Sequence, residues 1–363
     1  MKTLALCLRL PAYNLFYYNS RFKILPFSYA VALTSRCNCK CLTCGIPNNK
    51  DLSQAELSCN EYSNFFESLG ESPFWVTFTG GEPFLRSDIV EIIYLFYKIC
   101  RPKIMNISTN GTLTENTIKG VGRILDLCRD SHLVLNLSLD GVGEDHDRLR
   151  GSPGCYKKTL DTFQGLKKIR QKNFILGINT VLSKYNIAGF SRLCEEIKDL
   201  EPDSYTTEIA QEREELNNLG YGIVPDCRAY NKAMDYLKSE KIAFKPTRLN
   251  NLKRLMRRAY YRQVSGFLKN QAYSLRCLAG VTSGFVSPSG NISFCCFYTS
   301  PVGNLREVDF DFNKIWFADK ARERRKMLKD KKCACVLANM FYTNATCDFL
   351  QMPGLLVSSI FKR

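Results

Sequence analysis

Phe74-Trp75-Val76-Thr77-Phe78-Thr79-Gly80-Gly81-Glu82-Pro83 reads as a buried strand running into a glycine turn. Ser87 and Asp88 follow and can cap a helix that continues to about Cys100. The same order of strand, polar turn and helix repeats on both sides. Upstream, the apolar run Tyr29 to Leu33 ends in a cysteine-rich loop. Ser58-Cys59-Asn60-Glu61 then has the capping-box form, with Tyr62, Phe65, Phe66 and Leu69 at helical spacing behind it. Downstream, Lys103 to Ser108 leads into Thr109-Asn110-Gly111, and Leu133 to Leu139 into Asp140-Gly141. Phe174 to Ile178 leads into a turn beginning at Asn179, and Ser204 to Ile209 is the weakest strand of the series. This alternation predicts parallel βαβ units, about six of them, closing a partial or full α/β barrel. Chemistry in such barrels sits at the C-terminal strand ends, so the turns are expected to converge on one mouth.

The loop after the first strand is Cys37-Asn38-Cys39-Lys40-Cys41-Leu42-Thr43-Cys44, with three thiols at i, i+4 and i+7. Thiolates select zinc or iron–sulfur clusters, and zinc wants a fourth Cys or a His nearby. The only histidines, His132 and His146, lie far down the chain, so three local ligands point to a cluster with one iron left open. A second group begins at Cys277, followed by Gly290 and Cys295 in a C-x12-G-x4-C spacing, with Val286 to Ile292 reading as a hairpin turn. Downstream of it only Cys333, Cys335 and Cys347 remain.

The C-x3-C-x2-C spacing resembles the signature of the radical S-adenosylmethionine superfamily. That resemblance implies a partial (βα)6 TIM-like barrel, with Cys37, Cys41 and Cys44 as the catalytic 4Fe-4S ligands and Cys39 a bystander. The open iron would be chelated by S-adenosylmethionine. The reduced cluster would then cleave the cofactor to methionine and a 5′-deoxyadenosyl radical, which takes a hydrogen from substrate. Gly80-Gly81-Glu82-Pro83 is similar to the family's GGEP motif and is expected to meet the cofactor's amino group. Ser108 and Asn110, and Ser138 and Asp140, stand in stretches that resemble the family's later strand-end motifs, expected near ribose and carboxylate; Asn179 holds the comparable place after the next strand. Thr43 departs from the aromatic that often precedes the third Cys.

The second cysteine group resembles the start of the SPASM and Twitch auxiliary-cluster domains, with Gly303-Asn304-Leu305 and Ile315-Trp316 matching a later part. This implies one auxiliary 4Fe-4S cluster on Cys277, Cys295 and two among Cys333, Cys335 and Cys347. The Cys333-Ala334-Cys335 spacing leaves that pair open, and four thiolates also suit zinc. Cys296 is expected to point away from its neighbour if the hairpin strand continues.

The 363 residues, 45% hydrophobic, allow two domains with a substantial core. The expected division is an aromatic and basic extension over 1–28, the barrel over 29–240, a basic amphipathic helical linker over 241–272, and the auxiliary domain over 273–363. Lys+Arg 51 against Asp+Glu 35 gives a net charge of +16, which favours an anionic contact such as nucleic acid, lipid or an acidic substrate. Seventeen Cys in motif-like clumps suit a reducing cytosol, with the inner membrane face as a peripheral alternative. Arg9 and Pro11 interrupt the opening apolar run, against a signal peptide. His146, in a charged loop, is expected to be a solvated surface group. The resemblance puts peptide or protein modification first, fed by a flavodoxin- or ferredoxin-type electron donor. A lipid or sugar-type substrate and a nonenzymatic nucleic-acid-binding iron–sulfur protein stay open; the last would not need a three-ligand open site.

Overall fold

The computed structural model describes residues 2–19, 21–48, 55–239, 248–270, 275–297, 300–330 and 335–348. In chain order the elements are α1 (Lys2–Tyr18), β1 (Ser28–Thr34), α2 (Cys59–Leu69), β2 (Trp75–Gly80), α3 (Ile89–Cys100), β3 (Ile104–Thr109), α4 (Thr114–Leu127) and β4 (His132–Ser138). Then come α5 (Glu144–Arg150), α6 (Cys155–Lys167), β5 (Phe174–Leu182), α7 (Phe190–Leu200), β6 (Ser204–Ile209), α8 (Cys227–Ser239) and α9 (Arg248–Asn270). The C-terminal part adds β7 (Ser283–Val286), β8 (Asn291–Ser293), β9 (Gly303–Asn304), α10 (Phe312–Trp316), α11 (Asp319–Asp330) and α12 (Ala338–Cys347).

Among the described residues one sheet runs in the order β6-β5-β4-β3-β2-β1-β7-β8-β9. The first six strands pair in parallel, as the βαβ repeat predicts. β7 adds to the β1 edge in parallel, and β8 and β9 follow antiparallel. The hairpin read from Val286 to Ile292 is therefore β7–β8, and it extends the barrel sheet instead of forming a separate one. Period-2 alternation of burial is clean in β4 and β6. Val31 and Leu33, Val76 and Phe78, Met105 and Ile107, and Leu133, Leu135 and Leu137 are buried in the apolar core. The intervening positions, Thr79, Ser108, Ser138 and Glu208, line a cavity at the strand ends.

The capping box of α2 forms as read: Ser58 N donates to Glu61 Oε2 at 2.8 Å, and Glu61 N donates to Ser58 Oγ at 3.4 Å. Asp88 does not cap α3 with its side chain. Its carboxylate instead takes Arg86 Nε at 2.8 Å and Nη2 at 2.7 Å, because that guanidinium is buried and needs an acid partner. Residues 1–28, which show no clear period, contain the 17-residue helix α1. The sequence hides it because α1 is apolar on two faces, so no single stripe stands out. In the linker, α9 buries Ala259, Tyr260 and Val264, and Arg257 Nη2 donates to Ser204 Oγ at 3.0 Å. That face of the basic helix is internal.

Candidate cofactor site

The cysteine loop leaves β1 and is clamped from the far side by the end of α5. Lys40 N and Leu42 N donate to the carbonyls of Arg150 and Leu149, both at 2.9 Å. Gly151 sits under the loop, where a Cβ would stand 2.2 Å from the Lys40 oxygen. The glycine turn after β2 closes from the near side: Gly81 N donates to Thr34 O at 2.7 Å, and Glu82 N to Arg36 O at 2.9 Å. A Cβ on Gly81 would lie 2.1 Å from Arg36 O, so only glycine allows this approach.

Cys37, Cys41 and Cys44 line one cavity together with Gly80, Gly81, Ser108, Asn110, Ser138 and Asp140. The sequence-predicted turns do converge. No group of three or more Cys, His, Asp or Glu side chains that could hold a single metal ion occurs among the described residues. Donors point at two of the thiols: Asn110 Nδ2 lies 4.0 Å from Cys37 Sγ, and Arg150 Nη1 lies 3.7 Å from Cys41 Sγ. The hydrogen bond from Cys39 lowers the Cys37 thiol to about 6, whereas burial pushes Cys44 up to about 12. Cys39 is buried and within hydrogen-bonding reach of Cys37 and Cys155.

Glu82 and Pro83 are buried behind the cavity wall. Glu82 Oε1 accepts from Phe84 N at 3.0 Å and Thr109 Oγ1 at 2.8 Å, and Oε2 from Asn110 N at 2.8 Å, tying two strand ends together. Burial raises its carboxyl to about 7 against these bonds. Asp140 accepts from Val181 N at 2.8 Å and pairs with Arg150 Nη2 at 2.7 Å. Burial would lower the Arg150 guanidinium most, but the Asp140 carboxylate together with the Cys41, Cys155 and Cys39 sulfurs outweighs it and holds the group firmly charged.

Asn179 does not line the cavity. β5 continues to Leu182, so Asn179 lies mid-strand, opposite Ser138, and accepts from Thr206 Oγ1 at 2.8 Å. Val181 lines the cavity one step further along, and Asn186 takes the turn, donating to the carbonyls of Asp140 and Val181, both at 2.9 Å. His146 is fully buried, contrary to a solvated loop group. Its Nδ1 accepts from Asp140 N at 3.1 Å and its Nε2 faces Cys155 Sγ at 3.5 Å, so it props the Asp140 turn. The sequence offered a weak sign of this: Gly141 to Gly151 brackets a helix short enough to fold back on its own strand end.

Three wall residues had no motif to announce them: Arg150, Glu208 and Arg213. Burial raises the Glu208 carboxyl, with Arg213 opposing. Arg213 pairs with Glu215 at 3.4 Å and donates to Cys296 Sγ at 3.5 Å, so the cavity rim reaches the C-terminal cysteines. β8 stops at Ser293, so strand alternation does not separate Cys295 from Cys296, and both line one cleft beside β1 and β7. Cys277, Cys295 and Cys335 belong to the main core or its margin. Cys347 lies in a different cluster, with Leu10, Tyr13 and Leu278. Cys333 lies outside the described residues.

A family model of the radical SAM superfamily matches residues 31–197, and one of an iron-sulfur cluster-binding domain, SPASM, matches residues 277–336. The chain belongs to the radical SAM superfamily. It is an enzyme of the SPASM-containing kind, using a 4Fe-4S cluster with S-adenosylmethionine and carrying an auxiliary iron–sulfur domain. It is 28% identical over 304 residues to the AdoMet-dependent heme synthase of Methanosarcina barkeri, covering 80% of this chain and 82% of the relative. It is 25% identical over 353 residues to the PqqA peptide cyclase of Bradyrhizobium diazoefficiens, covering 91% and 84%. SuiB of Streptococcus suis, solved with S-adenosylmethionine, shares the fold at a TM-score of 0.61 and 15% identity, covering 83% of this chain and 68% of that one.

Proposed function

We propose that Cys37, Cys41 and Cys44 hold the cofactor-binding cluster and that the enzyme takes a hydrogen atom from a carbon of a peptide or protein substrate. The observation that carries the site is the shared cavity, in which those three thiols face the polar ends of β2, β3 and β4. When bound, the cluster and S-adenosylmethionine supply one-electron cleavage of the cofactor and a carbon radical able to abstract hydrogen. The chain's part is positioning. Gly81 and Gly151 let two backbones close on the cysteine loop, and Arg150 and Asn110 direct N–H groups toward thiolate sulfur. Ser108, Ser138 and Asp140 offer hydroxyl and carboxylate groups to the bound cofactor, while Glu82 holds the Asn110 turn in place from behind. Glu208 and Arg213, on the rim toward the auxiliary region, are placed to meet substrate.

For the auxiliary cluster we infer Cys277, Cys295 and two among Cys333, Cys335 and Cys347 as ligands, with the packing of Cys347 beneath α1 favouring the first two of those three. The barrel unit is taken as 29–240 and the auxiliary unit as 273–363.

The peptide reading draws on the alignment with PqqA peptide cyclase, which spans 91% of this chain. A second reading, an iron-porphyrin substrate, is favoured by the higher identity to the heme synthase over 80% of the chain. The test is anaerobic reconstitution, reduction by dithionite or flavodoxin, and measurement of 5′-deoxyadenosine. Product formed without added substrate and stimulated by a PqqA-type peptide, with loss of hydrogen from it by mass spectrometry, supports the first reading. Stimulation by iron coproporphyrin alone supports the second, and no 5′-deoxyadenosine from iron-loaded enzyme overturns both.

A further inference from the structure

The helix α1 carries two apolar faces. Leu10, Tyr13 and Phe16 are buried against Phe27, Leu278 and Val281. On the opposite side Leu4, Leu8, Leu15, Tyr18 and, just past the helix, Phe22 are 66%, 74%, 49%, 70% and 47% exposed. With the exposed Pro11, the four on the helix step by four and three residues, so they form one continuous stripe along its outer face, and Phe22 follows beyond the helix end. Scattered surface leucines need no explanation, but a contiguous stripe on a helix whose other side is already buried marks an interaction surface.

Charge decides what covers it. No acidic residue precedes Asp51 in the sequence. Arg21 and Lys23 are exposed beside Phe22, and neither they nor Arg9 form an ion pair among the described residues. Arg276, paired with Asp348 at 3.5 Å, lies over the Tyr17 and Tyr18 rings and donates to Tyr18 Oη at 2.7 Å, which fixes those rings at the same end as Arg21 and Lys23. An apolar stripe with aromatic rings at one end and cations around them is the pattern of a helix lying in a lipid headgroup layer. No helix among the described residues is long and apolar enough to cross a membrane.

We propose that α1 docks the enzyme on an anionic lipid bilayer, lying in the plane of the surface with Leu4, Leu8, Leu15 and Tyr18 inserted. The placement also sets the orientation. α1 packs at the N-terminal ends of the strands, where Lys2 Nζ reaches the Cys100 carbonyl at 2.8 Å and Phe27 and Leu278 lie beneath the helix. The cysteine cavity is at the other ends, about 20 Å away along a six-residue strand. The mouth therefore faces away from the bilayer, and the surface tethers the enzyme without feeding it a lipid substrate.

The test is flotation of the reconstituted full chain with vesicles of phosphatidylcholine alone or with about one-third phosphatidylglycerol. Wild type should float with the anionic vesicles and stay down with the neutral ones. Leu4→Gln, Leu8→Gln and Leu15→Gln together should abolish flotation, and Arg21→Gln with Lys23→Gln should weaken it roughly fivefold per cation and flatten its salt dependence. Circular dichroism and 5′-deoxyadenosine formation should match wild type in both variants, which separates lost docking from lost folding. The proposal is overturned if wild type does not float with anionic vesicles, or if the leucine variant floats as well as wild type. It is also overturned if wild type is a dimer in solution that the leucine variant converts to monomer, since a second copy then covers the stripe.

Discussion

Gly81→Ala tests whether the cofactor site depends on direct contact between the two loops. The added Cβ would stand 2.1 Å from Arg36 O, 2.6 Å from Arg36 C and 3.1 Å from Cys37 Cβ. The first two are backbone atoms, so no side chain can swing aside. The Arg36 oxygen also accepts the Glu82 N–H at 2.9 Å, and moving it away breaks that bond. Overpacking costs about 1–3 kcal/mol and an unsatisfied buried donor about 1–3 kcal/mol, giving roughly 2–6 kcal/mol in all. Whatever strain relaxes does so by displacing the cysteine loop, and a shift of about 1 Å at a reacting site can cost on the order of 100-fold in rate. Gly122→Ala is the matched control, since its Cβ meets nothing within 4 Å and it lies inside α4, where alanine is favoured by up to about 1 kcal/mol. Denaturant midpoints, iron content and 5′-deoxyadenosine rates of the two variants give the comparison. If Gly81→Ala keeps wild-type stability, iron and cleavage rate, the close approach of the two loops does not matter and the reasoning fails.

Cys37→Ala, Cys41→Ala and Cys44→Ala combined should remove roughly half of about eight irons, four per cluster, and abolish cofactor cleavage. Iron assay and visible absorption check this, and Cys39→Ala should leave both nearly intact. Cys347→Ala should keep full iron, because that thiol packs among Leu10, Tyr13 and Leu278, while lowering stability by about 1–2 kcal/mol. Glu82 should make stability pH-dependent. Its folded value, about 7, is raised above the ordinary carboxylate value, so its contribution is most favourable below about pH 4.5. It is lost as pH rises to about 7, by roughly 3 kcal/mol, and stays flat above. Urea melts from pH 5 to pH 8 should show this decline in wild type and not in Glu82→Gln, which carries no charge to bury.

Local pattern was enough to read the barrel. Apolar runs that end in glycine or Asx turns and are followed by helical spacing read as strands feeding helices, and Ser58 with Glu61 carries its cap within four residues. The convergence of Cys37, Gly81, Asn110 and Asp140 followed from the βα repeat, because parallel strands put every such turn at one end. Other features arose only when distant segments met. β5 runs past Asn179 because β6 supplies a partner as far as Leu182. Asp88 leaves its capping role because Arg86 is buried against the Leu33 carbonyl of the first strand and the Leu57 carbonyl two residues before α2. His146 and Arg150 look like surface charges in sequence, yet the turn after β4 folds α5 back onto the cysteine loop, burying His146 and leaving the Arg150 side chain only 11% exposed. α1 was illegible for a related reason: a helix apolar on two faces has no single-stripe signature, and only its packing on Leu278 and Val281 separates the face that holds the fold from the face left over. Spacing along the chain thus determined the ligand candidates and the parallel βα repeat, whereas the joining of β7 to the β1 edge and the charge environment of the site came from contacts across roughly a hundred residues or more, which no local pattern encodes.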